Sequence, residues 1–211
     1  MATIGLVHGI GGTAATMAPL ADALAALGHE VVAVTLPGHG TAPEDLVAIT
    51  WAEWLAAVPS CDVLVGQSMG ASLALAAVGE PGRGVRALVA INPPYADEDS
   101  LEGLEWQRSR GHEWADGAPL AEGEAGYERL PLAALEQMVR GVIGTDLGRV
   151  TCPVLLVTGA LDDSADPSLM DLLAAPITGE VTRLELPNSG HVVTMGPDVP
   201  ALAAAIDRFL P

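Results

Sequence analysis

The chain has 211 residues, of which half are hydrophobic, and it carries a formal net charge of −18 at pH 7. That length suffices for one domain with a sizeable hydrophobic core and is short for two full domains. The negative charge would repel nucleic acid and anionic membrane surfaces, and it favours neutral or cationic ligands. The sequence contains no lysine, which excludes a Schiff-base lysine, a serine–lysine dyad and a P-loop lysine.

Short apolar runs alternate along the chain with segments of helical periodicity. The runs predicted as strands are Ile4–Val7, Val31–Val34, Cys61–Val65, Ala87–Ile91, Val154–Val157 and Val181–Leu186. This alternation is typical of buried parallel strands that are joined by crossover helices. The predicted fold class is therefore α/β.

Helices are predicted between these strands at recognisable start signals. Apolar residues recur at helical spacing over residues 17–27, behind a possible cap at Thr13. Thr50 and the three residues that follow it have the form of a capping box. The last helix is predicted to begin after Pro197 or Pro200.

The alternation breaks between Pro93 and Arg149, where acidic and glycine-rich pieces flank two predicted helices, near Asp97–Arg110 and Pro131–Arg140. We expect residues 93–149 to be a small cap inserted after the fourth predicted strand, with residues 1–92 and 150–211 forming the core of a single domain. An insertion at the carboxyl end of a strand overlooks the usual ligand crevice of an open α/β sheet. The alternative is that these residues form an ordinary surface insertion that does not cover the site.

Ser68 lies in Gly66-Gln67-Ser68-Met69-Gly70, between the third predicted strand and a helix-forming stretch from Ala71 to Val78. A serine at the tip of a sharp turn leaves no room for bulky residues two positions away on either side. The pattern and its placement predict a nucleophile elbow.

A serine hydroxyl needs a base to become a good nucleophile, and that base needs a carboxylate to orient it. His191 follows the last predicted strand, and Asp162 and Asp163 follow the strand before it. All of them therefore emerge with Ser68 at the carboxyl edge of the sheet. Because the two carboxylates are adjacent, only one can face His191.

Backbone N–H groups are expected to hold the oxyanion that develops during acyl transfer. One would come from Met69, at the positive end of its helix, and the other from Ile10, in a glycine-rich turn after the first strand. That turn lacks the spacing of a dinucleotide-binding loop or a P-loop, so phosphate binding is disfavoured.

Four segments resemble the α/β-hydrolase superfamily, and specifically its small bacterial carboxylesterases and monoacylglycerol lipases. They are His8–Gly12, Leu36–Glu44, Gly66–Gly70 and Ser189–Thr194. The resemblance implies an α/β-hydrolase fold of about six parallel strands flanked by helices, without the family's usual first strands and with a short helical cap. A short cap would leave the acyl pocket open or shallow.

The resemblance also implies site residues. Ser68, Asp162 and His191 would form a catalytic triad, with Asp162 preferred to Asp163 because it occupies the family's G-x-x-D position. Ile10 and Met69 would form the oxyanion hole.

The function implied is a serine hydrolase that cleaves carboxylic esters through an acyl-enzyme intermediate, without a cofactor. Its substrate would be a small neutral ester, and nucleic acid and membrane insertion are not expected. The alternatives are a thioesterase acting on acyl thioesters and a non-catalytic ligand-binding protein of the same fold. Trp106, Trp114 and Tyr127 are candidates for the pocket wall, although packing of the cap onto the sheet explains them equally well.

Other residues carry weaker signals. The histidines show no metal-binding spacing, so no metal site is predicted. Cys61 and Cys152 are expected to be reduced thiols, because the predicted sheet separates them beyond disulfide reach. No apolar stretch is long enough to cross a bilayer and no basic segment precedes the first apolar run, so a soluble cytoplasmic protein is expected.

Overall fold

The computed structural model of the chain describes residues 1–117, 120, 126–165 and 167–211. The strands of its main sheet are β1 (Thr3–Val7), β2 (Glu30–Val34), β3 (Val63–Gln67), β4 (Ala87–Ile91), β7 (Val154–Gly159) and β8 (Val181–Leu186). They pair in the order β2-β1-β3-β4-β7-β8, and every pairing is parallel. The predicted α/β-hydrolase fold with six parallel strands is confirmed.

A second sheet of two short antiparallel strands, β5 (Trp114–Asp116) and β6 (Arg129–Pro131), lies within the insertion. The sequence analysis predicted no strands there. Strands of three residues are too short to show the alternation of polar and apolar residues from which a strand is recognised.

The helices lie between the strands, as predicted. They are α1 (Ala18–Ala26), α2 (Trp51–Ala56), α3 (Met69–Val78), α4 (Glu98–Ser109), α5 (Leu132–Ile143), α6 (Met170–Ala174) and α7 (Val199–Phe209). The capping box at the start of α2 is present, because the Thr50 hydroxyl accepts from the Glu53 amide at 3.3 Å and the Glu53 carboxylate accepts from the Thr50 amide at 2.9 Å. Among the described residues, no helix combines the length and the apolar character that a bilayer crossing requires.

The core consists of two layers, one on each face of the main sheet. Successive side chains of a strand point to opposite faces, so Val63 and Val65 pack with α1 and α7 while Leu64 packs with α3. The central strands β3 and β4 are buried along their whole length, which explains their continuous apolar sequence. The candidate site lies at the carboxyl ends of these buried strands.

The insertion contains α4, the β5–β6 hairpin and α5. Residues 118–119 and 121–125 of the predicted cap lie outside the described residues. The two helices are joined by an ion pair at 2.7 Å between Arg108 and Glu136, whose carboxylate side chain is 10% exposed. The division into core and cap stays a prediction.

Candidate active site

Ser68 occupies the tight turn between β3 and α3. Its backbone has φ +54° and ψ −125°, a sparsely populated conformation that costs an L-residue about 1–3 kcal/mol. Glycine is required on both sides: a Cβ on Gly66 would overlap the carbonyl of Gly70, and a Cβ on Gly70 would overlap the backbone of Val7. The Ser68 amide donates to the carbonyl of Ile91 at 2.9 Å, which ties the turn to β4.

His191 and Asp162 meet beside this turn. The His191 Nδ1 lies 3.0 Å from both carboxylate oxygens of Asp162, whose side chain is 1% exposed. Burial opposes ionisation of Asp162, but the hydrogen bonds from His191 and from the amides of Ser164 and Ala165 outweigh it and lower the pKa of the carboxyl. The carboxylate is therefore charged at neutral pH and holds the imidazole by Nδ1, which leaves Nε2 free of this contact.

Asp163, the other candidate acid, has a different environment. Its carboxylate accepts from the hydroxyl of Ser164 at 3.3 Å, and it lines the cavity that also contains Ser68 and His191. Of the two adjacent carboxylates, Asp162 is the one that contacts the imidazole.

The cavity at this edge of the sheet has a volume of about 330 Å³. Its walls come from the turn after β1, the elbow, the insertion, the loop after β7 and the loop after β8. They include Ile10, Gly11, Ser68, Leu120, Tyr127, Leu130, Asp163, Ser164, His191 and Met195. This volume is at the small end of the usual range of ligand pockets.

The turn that carries Ile10 lies directly against the elbow, since a Cβ on Gly9 would be 3.0 Å from the Cβ of Ser68. Ile10 lines the cavity, and Met69 is the first residue of α3. The first N–H groups of a helix have no partner within it, so the Met69 amide is available to a ligand. The two predicted oxyanion donors thus come from segments that meet at Ser68.

His8 holds the start of this turn from within the core. Its Nδ1–H donates to the carbonyl of Gly9 at 2.7 Å, and its Nε2 accepts from the amide of Leu36 at 3.0 Å. Burial lowers the pKa of His8 from 6.5 to about 4, against the hydrogen bond to Gly9, which raises it. A neutral imidazole therefore links the turn to the segment after β2.

Tyr127 joins the insertion to the core. Its hydroxyl donates to the carbonyl of Gly38 at 3.2 Å and accepts from the amide of Thr41 at 3.1 Å. Tyr127 lines the cavity, and its ring stacks on His39 with ring centres 6.3 Å apart. Burial lowers the pKa of His39 as well, so this ring also favours the neutral form.

The other two aromatic candidates lie elsewhere. Trp106 is 59% exposed on α4, with the guanidinium of Arg110 5.2 Å from its ring centre. Trp114 is half-buried in β5 beneath the guanidinium of Arg129, at 4.3 Å. Of the three predicted wall residues, Tyr127 is the one that lines the cavity.

The loop that carries His191 is held by side chains that the sequence analysis did not identify. The Asp198 carboxylate accepts from the Asn188 amide at 2.8 Å and from the Ser189 hydroxyl at 2.9 Å. On the other side, the Gln67 Oε1 accepts from the Thr194 hydroxyl at 2.8 Å. Gln67 and Thr194 are far apart in sequence, and the contacts of Asp198 span 9 and 10 residues, which is longer than the spacing of a helix cap or a tight turn.

Among the described residues, no three side chains of histidine, cysteine, aspartate or glutamate converge as a metal site. Cys61 and Cys152 are free and half-buried, and burial raises the pKa of both thiols. The chemistry available at this edge of the sheet is that of a hydroxyl, an imidazole, a carboxylate and backbone amides.

Three comparisons identify what the chain is similar to. It is 32% identical to a thermostable monoacylglycerol lipase from Bacillus sp. (strain H-257), with 97% of this chain and 87% of that protein covered. A solved structure described with the metagenome-derived lipolytic enzymes LipS and LipT has a TM-score of 0.87 and 26% identity over 98% of this chain and 92% of that one. A thioesterase domain from the curacin biosynthetic pathway has a TM-score of 0.66 and 18% identity, over 97% of this chain and 90% of that one, which shows the shared fold alone.

A family model agrees with these similarities and covers nearly the whole chain. It is the model of the alpha/beta hydrolase family, and it matches residues 6–205. The matched region runs from β1 to α7 and so contains every segment of the candidate site. The chain belongs to the alpha/beta hydrolase family.

Proposed function

We propose that the protein is a serine hydrolase that cleaves carboxylic esters, with Ser68 as nucleophile, His191 as general base and Asp162 as the acid that orients it. The observation that carries the proposal is the contact between His191 and the buried Asp162 carboxylate at the cavity that Ser68 also lines. The lipolytic relatives support an ester as the substrate.

In the first half of the reaction, Ser68 Oγ forms a bond to the ester carbonyl carbon while its proton passes to His191 Nε2. The carbonyl oxygen becomes an oxyanion, held by the amides of Ile10 and Met69. When the intermediate collapses, the bond from carbon to the alcohol oxygen breaks, and the His191 proton goes to that oxygen. The alcohol leaves and an acyl group remains on Ser68.

Water completes the cycle. His191 takes a proton from a water molecule whose oxygen attacks the acyl carbon, and the second intermediate expels Ser68 Oγ, which recovers that proton. The products are a carboxylic acid and the free enzyme. Asp162 stays ionised throughout and stabilises the imidazolium that forms in each half.

The cavity favours a small neutral ester. Among its described wall residues, Asp163 supplies a carboxylate and there is no arginine to pair with an anionic substrate. Its volume of about 330 Å³ suits a short acyl chain better than a long one. We further propose that residues 93–149 act as the cap, since Tyr127 and Leu130 line the cavity from the insertion.

A fluorophosphonate that reacts with activated serines tests the nucleophile. We expect covalent labelling of the wild type and none of Ser68→Ala, together with hydrolysis of short-chain p-nitrophenyl esters that Ser68→Ala lacks. Absence of labelling and of hydrolysis would support a non-catalytic binding protein instead. Parallel assays with monoacylglycerols and acyl thioesters compare the lipase and thioesterase activities, and faster turnover of thioesters would contradict the ester assignment.

A further inference from the structure

Asn92 follows β4 directly, where this central strand ends between β3 and β7. The residue is 1% exposed, and its φ of +43° lies in the left-handed region. Asparagine tolerates this region better than other residues with a side chain, but the conformation is still uncommon and persists only where the surroundings impose it.

The side-chain amide of Asn92 bridges two loops of the candidate site. Its Oδ1 accepts from the amide of Gly159 at 2.9 Å, and its Nδ2 donates to the carbonyls of Gly190 at 3.2 Å and His191 at 2.8 Å. Gly159 ends β7, three residues before Asp162. Both N–H donors and the oxygen of the amide are therefore used, and the amide cannot flip without losing all three bonds.

The backbone beside Asn92 reaches the third member of the site. The Ile91 carbonyl accepts from the Ser68 amide at 2.9 Å, and the Asn92 amide donates to the Val157 carbonyl at 2.9 Å. The end of β4 thus contacts the segments that carry the hydroxyl, the carboxylate and the imidazole. The amide group is planar and is bound through its oxygen to one loop and through its nitrogen to the other, so it fixes the distance between the two loops.

From this convergence we infer that Asn92 is a positioning residue that holds the loops of Asp162 and His191 in register with Ser68. The inference rests on the proposed function, because it assigns Asn92 a part in the same reaction. Asn92 contacts the backbone of His191 and does not line the cavity with Ser68. Its loss should therefore slow the chemical step while leaving substrate binding nearly intact.

The first variant is Asn92→Gly, which is compatible with the left-handed backbone and removes only the amide. Misplacement of a catalytic group by about 1 Å can cost about 100-fold in rate. We expect kcat for p-nitrophenyl acetate to fall by about 10- to 100-fold, with KM within about threefold of the wild-type value.

The second variant, Asn92→Asp, gives a readout that a purely structural role would not. The new carboxyl keeps an oxygen for the Gly159 amide, and it donates one hydrogen bond while protonated and none when ionised. Burial against two carbonyl oxygens raises the pKa of this carboxyl, so the donor is lost as pH rises. We expect the ratio of the Asn92→Asp kcat to the wild-type kcat to fall by at least about tenfold as the pH rises from 5 to 9. This is the smaller of the losses expected for Asn92→Gly.

Gln137→Glu is the matched control, because it makes the same change from amide to acid away from the cavity. Its oxygen can still accept from the Trp51 amide, as the Gln137 oxygen does at 3.2 Å. We expect its kcat relative to wild type to be constant over the same pH range.

The outcomes separate this inference from the proposed function. If the wild type hydrolyses no ester, or Ser68→Ala hydrolyses it equally well, the proposed function fails and the inference fails with it. If the wild type is active but Asn92→Gly keeps kcat within about threefold, or the relative kcat of Asn92→Asp does not change with pH, only the inference is overturned. Failure of both Asn92 variants to fold, measured by circular dichroism, would assign Asn92 to stability and also overturn it.

Discussion

Lowering the pH should destabilise the fold through His8, independently of any effect on catalysis. His8 is fully buried and accepts a hydrogen bond from the Leu36 amide through Nε2, which requires an unprotonated nitrogen. Burial lowers the pKa of His8 to about 4, whereas the same side chain in the unfolded chain has a pKa near 6.5. Between these two pKa values, His8 is protonated in the unfolded chain and neutral in the folded protein.

The sign and size of the effect follow from that difference. Between pH 6.5 and pH 4 the unfolded chain binds the additional proton, so the free energy of unfolding decreases as the pH falls. The slope is about 1.4 kcal/mol per pH unit, and over about 2.5 units it amounts to roughly 3 kcal/mol. The contribution is fully present above about pH 6.5 and is lost once the pH reaches the folded-state pKa.

Urea unfolding followed by circular dichroism at pH 7.5, 6.5, 5.5 and 4.5 tests this reasoning with the wild type and His8→Gln. Glutamine does not titrate, and its oxygen can accept from the Leu36 amide. We expect His8→Gln to be less stable by about 1–2 kcal/mol at pH 7.5, and the difference to close or reverse by pH 4.5. Parallel stability curves for the two proteins would refute the assignment.

Four further substitutions give distinct results. Asp162→Asn should lower kcat by about 10³- to 10⁴-fold, because the imidazole loses its orienting carboxylate, while Asp163→Asn should change kcat by less than about tenfold; steady-state kinetics on p-nitrophenyl acetate compare them. Gly66→Ala should destabilise the fold by more than about 3 kcal/mol in urea unfolding, because its Cβ would overlap the Gly70 carbonyl. Tyr127→Phe should cost about 1–2 kcal/mol and raise KM, since it removes both hydrogen bonds that join this wall residue to the segment after β2; an unchanged melting temperature and KM would contradict that role.

The main sheet could be predicted because its strands are defined by local sequence. The run Ala87–Ile91 coincides with β4, which is buried on both faces, so nothing but apolar residues occurs there. The third run, predicted from Cys61, begins as a strand two residues later, and Asp62 is joined to Thr3 at the start of β1 through both its carboxylate and its backbone N–H. Such contacts between distant residues move the ends of elements without changing their order.

The candidate triad could be predicted for a related reason. In a parallel sheet all carboxyl ends lie at one edge, so loops after three strands converge whatever their sequence separation. The residues that hold the loops of this site could not be predicted in the same way. Asn92 and Asp198 act through hydrogen bonds to the loop of His191, and neither belongs to a spacing pattern that a single sequence displays.

The aromatic residues of the insertion show a further limit of sequence patterns. From composition alone, Trp106 and Tyr127 are equally good candidates for the pocket wall. The structure exposes Trp106 on α4 and turns Tyr127 towards the core. Which face of an insertion helix meets the rest of the chain depends on how the whole insertion packs, and α4 has no continuous apolar stripe that would predict it.

The order of the strands has a consequence for biosynthesis. The turn bearing Ser68 needs β1, β3 and β4, which are complete within the first 91 residues, whereas β8 begins only at Val181 and the loop of His191 follows it. On the ribosome, the Ser68 hydroxyl would emerge long before the imidazole that we propose as its base, and parallel pairing across such separations is slow. Under the proposed function, a nascent chain would therefore acquire esterase activity only after β8 and the loop of His191 have been synthesised.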